Sequence, residues 1–342
     1  MIRKAVILAV APVALLPVAN RPLLSHTVRG LARAGVRRTA VVAEPSVREQ
    51  LADELDSDVA DHCTVQWADR DAGSGLMGAL TGLSDFVANE PFVLHLGDSM
   101  ARRGLRSVLR LAPAPLDTTV LVQEPSHRGG EVVELAPRRF VMSSGTGNGA
   151  SDGLPAGAWV LGGGVLEAAA HIPASGSWEL EMSTMTRYLG ELGGHVSLHQ
   201  VDEWWRYRKC PDALLDGNRF ALEGLQGQPV EAQLLDTRIQ GTVCIHPTAR
   251  LESSIVRGPA VIGAGTCLRD AYVGPYTSIG DNVMIEGAEI EHSIILPGAS
   301  ISHLGGRLEA SVIGPKARVF RDFRLPRALR LNVGEGAEVS LA

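Results

Sequence analysis

Few side chains in this sequence are placed to do chemistry, and the first is a carboxylate. Asp98 closes the apolar run FVLHLGDS at residues 92–99. Such a run reads as a buried parallel strand, and a carboxylate at its end reaches ligands at the carboxyl edge of the sheet. Asp98 is therefore a candidate metal ligand. A lone carboxylate makes a weak Mg²⁺ site, however, and capping of the following turn is an equal alternative. Arg206, Arg208 and Lys209 lie beside Trp204 and Trp205. They are either an anion site or the solvated charges of a half-exposed strand, and the strand face is the favoured reading. The cysteines, at 63, 210, 244 and 267, form no CxxC pair, and no clustered histidines complete a zinc site.

The elements that must position these groups alternate. Residues 5–10 read as a buried strand, 25–34 as a helix ended by Gly35, and 39–43 as a second strand. A helix over 47–55, a strand over 63–67, a helix over 75–88 and the strand 92–96 follow. Strands alternating with helices predict a mostly parallel, Rossmann-like α/β sheet covered on both faces. The stretch 143–155, SSGTGNGASDGLP, reads as a flexible surface loop. A strand over 158–161, a helix containing 182–189 and a strand over 203–209 complete this domain. We expect it to span residues 1–230, with the second domain at 235–342.

Beyond the boundary the period changes. Apolar residues recur in steps of six, six and five, and each position returns seventeen residues later. Ile239, Val256, Val273 and Ile290 form one series; Ile245, Ile262, Ile279, Leu296 and Ile313 form another. This hexapeptide pattern predicts a left-handed parallel β-helix, in which each coil pairs with the next and buries a ladder of aliphatic side chains. His292 and His303 fall within it. In acyltransferases of that fold a histidine serves as general base, but a structural role is favoured because fold alone does not specify function.

Three further segments carry a family resemblance. LLPVANRP at residues 15–22, after the first strand and before a helix, resembles the LxPVxNKP signature of sugar-1-phosphate nucleotidylyltransferases. SGLMGA at 74–79 resembles the PxGLAxA element, and FVLHLGDS resembles the strand ending in LGDN. The repeats and the closing LPRALRLNVGEGA at 325–337 are similar to the long-form glucose-1-phosphate thymidylyltransferases. The resemblance implies nucleotidyl transfer from a nucleoside triphosphate to a sugar-1-phosphate, with Mg²⁺ held by two aspartates. It assigns nucleotide contacts to Leu8, Ala9, Gly75 and Leu76, and catalytic places to Asp98 and Glu179.

Much of the family's machinery is absent. Its glycine-rich loop, GGxGTRL followed by Pro-Lys, is replaced by VAPVA at residues 10–14, with Val13 at the lysine position. A short connection containing Pro12 has fewer N–H donors and no cation for a triphosphate. Tyr207 stands where the second metal aspartate falls. The sugar-binding Glu-Lys-Pro has no counterpart near residues 139–149, Glu131 stands at a family glycine, and Thr184 stands at the aspartate that follows Glu179. Nucleotide, metal and sugar subsites are affected together. The expectation is a degenerate homologue that regulates, scaffolds or assembles with an active paralogue; the alternatives are altered chemistry on a sugar phosphate or nucleotide-sugar, or a transferase with a rebuilt loop. Mg²⁺ is expected only if the chain is active.

Composition sets outer bounds. A formal charge of −6 with 45% apolar and 20% charged residues describes an ordinary globular protein without general attraction for nucleic acid or anionic membrane. The unpaired cysteines fit a reducing cytoplasm. The run over 5–19 imitates a signal peptide, but Pro12 and Pro17 interrupt it and the domain needs it as its first strand. Open backbone edges at the ends of a β-helix favour a homo-oligomer.

Overall fold

The computed structural model describes residues 1–59, 62–69, 75–123, 154–175, 177–208, 210–227 and 229–323. The chain divides into two compact units, Met1–Leu225 and Gln226–Ala342.

The first unit begins with β1 (Lys4–Ala9), a 3-10 turn (Val13–Leu15) and a hairpin of β2 (Pro17–Val18) and β3 (Arg21–Pro22). Next come α1 (Leu23–Ala34), β4 (Arg38–Ala43), α2 (Pro45–Val59), β5 (Thr64–Asp69), α3 (Gly75–Thr81) and α4 (Ser84–Val87). It continues through β6 (Phe92–His95), β7 (Ser99–Ala101), α5 (Leu105–Val108), β8 (Thr118–Gln123) and β9 (Leu154–Leu161). It ends with α6 (Val165–Ala169), α7 (Trp178–Glu191), β10 (Val196–Gln200), β11 (Trp204–Arg206) and α8 (Pro211–Glu223).

Seven strands form the main sheet in the order β10-β8-β9-β6-β1-β4-β5. Every pairing is parallel except those of β9, which runs antiparallel to β6 and β8. β1 sits deep in this sheet, which explains its continuous apolar sequence: all six of its residues are buried. Ala5, Ile7 and Ala9 join the core formed with α1, α2 and α5, while Val6 and Leu8 join the core formed with α3, α4, α6 and α7. The sheet is thus covered on both faces, as the alternation of strands and helices requires.

Three local expectations need correction. The helix expected over 75–88 is two helices, because Gly82 and Leu83 separate α3 from α4 and Ala88 ends α4 in the left-handed region. The strand expected over 203–209 is three residues long and lies outside the main sheet. Glu203 has φ 50°, and Trp204–Arg206 pairs antiparallel with β7 in a two-stranded ribbon. Of the loop expected over 143–155, residues up to 153 lie outside the described residues, whereas Leu154 and Pro155 open β9. The proline is tolerated because β8 and β9 shift register between Val120 and Val122, next to its pairing with Val122.

The second unit is a parallel β-helix. Gln233, Arg250, Cys267 and Met284 stack in register, as do Arg238, Ile255, Tyr272 and Glu289. Each step is the seventeen residues of the sequence repeat. Leu251, Leu268, Ile285 and Ile301 form one buried column, and Val256, Val273 and Ile290 another. Corner residues must turn through the left-handed region, and Asp236, Ser253, Asp270 and Gly287 recur there at one corner. The strict period fails in the later coils. Ile279 stacks on Ile295, one residue earlier than the expected Leu296, because that coil is one residue shorter. The next is longer, so Ile295 stacks on Ile313 and the column is restored.

Candidate functional site

Three backbone donors of the connection after β1 are used on the connection itself. The amides of Ala14, Leu15 and Leu16 donate to Val10 O at 2.9 Å, Pro12 O at 3.0 Å and Val13 O at 3.1 Å. Ala19 and Asn20 form the positive-φ turn of the β2–β3 hairpin, and the buried Asn218 side chain of α8 accepts the Ala19 amide at 2.8 Å. Val13 and Leu16 pack on the cluster of Val18, Leu23 and Met100. Trp205 and Tyr207 pack on the same cluster. The two positions where the resemblance implies a phosphate-binding lysine and a metal aspartate therefore hold side chains that support one apolar cluster.

Leu8 and Ala9 are fully buried, so their side chains are core and only backbone could meet a ligand. Beside them Gly97 turns the chain after β6 with φ 69°; a Cβ there would lie 2.6 Å from the Leu8 carbonyl oxygen, so this turn requires glycine. A chain of hydrogen bonds fixes the turn. The Gly97 amide donates to His95 Nδ1 at 2.9 Å, which leaves Nε2–H to donate to Ser99 Oγ at 3.1 Å. The Ser99 hydroxyl in turn donates to Ala156 O at 3.1 Å. Burial pushes the His95 pKa down to about 3, helped by the nearby Arg206 charge, so the imidazole is neutral and this relay has one direction. Trp204 stacks near His95, with ring centroids 5.7 Å apart, and donates its indole N–H to Ala156 O at 2.8 Å.

That turn presents Asp98, whose carboxylate accepts the Arg206 Nε–H at 2.7 Å. The Tyr207 amide donates to the Asp98 carbonyl at 2.9 Å. Tyr207 and Asp98 are thus neighbours, but the cation opposite Asp98 belongs to Arg206. The side chains of the pair are 17% and 19% exposed, enough shielding to make it stronger than a surface ion pair. Gly157 of β9 lies against it with φ 78°.

A second cluster forms at the start of α3. Glu181, 1% exposed, accepts the Leu76 amide at 2.7 Å and the Ser175 amide at 2.7 Å, with a longer contact of 3.4 Å from Met77. Gly75 has φ 64°, and a Cβ on it would come within 2.8 Å of a Glu181 oxygen. The backbone expected to read a nucleobase is therefore packed against a buried carboxylate. The motif match falls on Glu179, whereas the buried carboxylate is Glu181, two residues on; its four-residue spacing from the buried Met185 is the signal that Glu181 faces inward. Glu179 lies in the first turn of α7, and its side chain falls outside the described residues, as do Ser74, Glu131, Lys209 and residues 139–149 and 324–342. Arg208 is exposed. His292 and His303 occupy positive-φ corners of the β-helix, in ring contact with Tyr276 and Phe323 respectively.

The residues present do not fit a divalent ion. Among the described residues no three His, Cys, Asp or Glu side chains are grouped to hold a metal, and the Asp98 carboxylate is already paired with a guanidinium.

A mostly parallel sheet with a carboxylate turn on its carboxyl edge defines a Rossmann-like α/β domain. A family model described as nucleotidyl transferase matches residues 9–128. Over 338 residues, 96% of this chain and 93% of the relative, the sequence is 30% identical to a glucose-1-phosphate thymidylyltransferase of Streptomyces griseus. It is 27% identical to another of that name from Streptomyces antibioticus, covering 96% of this chain and 93% of the relative. A low-salt glycan biosynthesis nucleotidyltransferase of Haloferax volcanii is also 27% identical, with coverages of 96% and 94%. The chain belongs to the sugar-1-phosphate nucleotidylyltransferase family. A crystal structure assigned to a glucose-1-phosphate thymidylyltransferase of Bacillus anthracis, in complex with sucrose, shares the fold. Its TM-score is 0.51 at 19% identity, over 64% of this chain and 94% of that one. No helix among the described residues is long and apolar enough to cross a membrane.

Proposed function

We propose that this protein does not perform Mg²⁺-dependent nucleotidyl transfer, and instead serves as a regulatory, scaffolding or assembly partner of a catalytically complete relative. The observation that carries this reading is the shared apolar packing of Val13 and Tyr207 on the Val18–Leu23–Met100 cluster. Transfer of a nucleotidyl group depends on cations and N–H donors around the phosphates. Here the lysine position is an isopropyl group, the second aspartate position is a phenol, and three amides of the first connection are spent on its own backbone. The Leu76 amide is likewise engaged by Glu181. Loss of one such group could be offset by another; loss of several together leaves less to compensate transition-state charge.

A second reading, altered chemistry on a sugar phosphate or nucleotide-sugar in the same cleft, draws on one observation. Asp98 remains at the carboxyl edge, rigidly held by the His95–Ser99 relay.

The deciding measurement is pyrophosphate release from each common nucleoside triphosphate with glucose-1-phosphate and Mg²⁺. No release above the protein-free rate is expected. Sustained release, lost in Asp98→Asn, would overturn the proposal.

A further inference from the structure

We infer that Arg206 is a permanent cation built into the carboxyl edge of the sheet, and that it excludes a divalent ion from Asp98. The inference rests on the reading of the site above and deepens it: the metal subsite is occupied by protein charge rather than simply missing a ligand.

The geometry leaves the guanidinium little freedom. Its Nε–H donates to Asp98 at 2.7 Å, and Nη1 reaches the Pro155 carbonyl at 3.4 Å. Backbone pairing fixes both members of the pair, since Arg206 stands opposite Ser99 in the β11–β7 ribbon and the Tyr207 amide holds the Asp98 carbonyl. Gly157 closes the third side. A Cβ there would fall 2.7 Å from Asp98 Oδ1 and 2.9 Å from Arg206 Nε, so β9 approaches the pair as closely as a backbone can. A metal on the same carboxylate would sit about 2 Å from its oxygen and so within a few ångströms of the guanidinium. Repulsion between a double and a single positive charge at that range opposes binding, and arginine does not deprotonate to relieve it. Tyr207 supplies no second carboxylate to offset the repulsion.

Titration of the full chain with Mn²⁺, read by the electron paramagnetic resonance signal of the free ion, tests this. The wild-type protein should take up no ion through Asp98, giving a curve superimposable on that of Asp98→Asn. The Arg206→Gln/Tyr207→Asp double variant removes the cation and adds a carboxylate; it should bind one equivalent roughly tenfold or more tighter, and lose it when Asp98→Asn is added. Stoichiometric uptake by the wild type that disappears in Asp98→Asn would overturn the inference. So would a double variant with native circular dichroism that binds no better than wild type. If the double variant does not fold, the comparison of wild type with Asp98→Asn decides alone. Turnover that survives chelation would sink the non-catalytic proposal and leave this one standing. Mn²⁺ held by Asp98 without turnover would do the reverse.

Discussion

Glu181 and Leu76 are 105 residues apart in the chain and 2.7 Å apart in space, carboxylate oxygen to amide nitrogen. The same carboxylate takes the Ser175 amide through its other oxygen, so one buried side chain joins the segment before α7 to the start of α3. Glu181→Gln keeps one acceptor but turns an NH₂ group toward a donor, which should cost about 1–2 kcal/mol. Glu181→Ala strands both amides and should cost about 3 kcal/mol or more. Urea unfolding of the two variants checks the order; equal losses would contradict the two-sided role.

Mild acid should destabilise the fold through two buried imidazoles. His95 and His26 are both held neutral by burial, with pKa values pushed down to about 3 and about 4. An unfolded imidazole takes a proton near 6.5, so between that value and the folded pKa the unfolded chain binds more protons. The stability is fully present above pH 6.5 and is lost as pH falls. For His95 the loss between about pH 7.5 and about pH 5.5 is about 1.4 kcal/mol. His95→Gln, which cannot be protonated, should show a pH dependence smaller by that amount in denaturant titrations at the two pH values.

Two glycine-to-alanine substitutions should act in opposite directions. Gly157 has φ 78° and would drive its new methyl into the Asp98–Arg206 pair. Gly157→Ala should cost about 2–3 kcal/mol. Gly190 lies within α7 with nothing in the way of a Cβ, so Gly190→Ala should add about 0.5–1 kcal/mol. Thermal melts of the two variants beside wild type settle the sign of each.

Neighbouring residues in the β-helix should differ just as sharply. Ile285 is fully buried in an aliphatic column, whereas Met284 points outward and is 56% exposed. Ile285→Ala should cost about 3 kcal/mol and Met284→Ala under about 0.5 kcal/mol. Similar losses in denaturant unfolding would mean that Ile285 and Met284 do not face opposite sides of their strand.

The sequence made the sheet legible where packing repeats a simple rule. β1 is buried on both faces and is therefore apolar throughout, and the β-helix repeats because each coil must place the same kind of residue in the same column. The expected Leu296 failed because a pattern does not show where a coil is one residue short; only the pairing of Ile279 with Ile295 does. Short elements such as β7, α5 and α6 escaped for a related reason. Stretches of three to five residues are too brief to display a period.

By itself the sequence determined the architecture and the family, because hydrophobic periodicity and short motifs are local properties of the chain. The tertiary structure alone decided what particular residues do to one another. That Arg206 neutralises Asp98, that Val13 and Tyr207 share one apolar cluster and that Glu181 occupies the Leu76 amide are all contacts between distant segments. Charge pairing and burial depend on distances in space, and spacing along a chain does not encode them until the chain has folded.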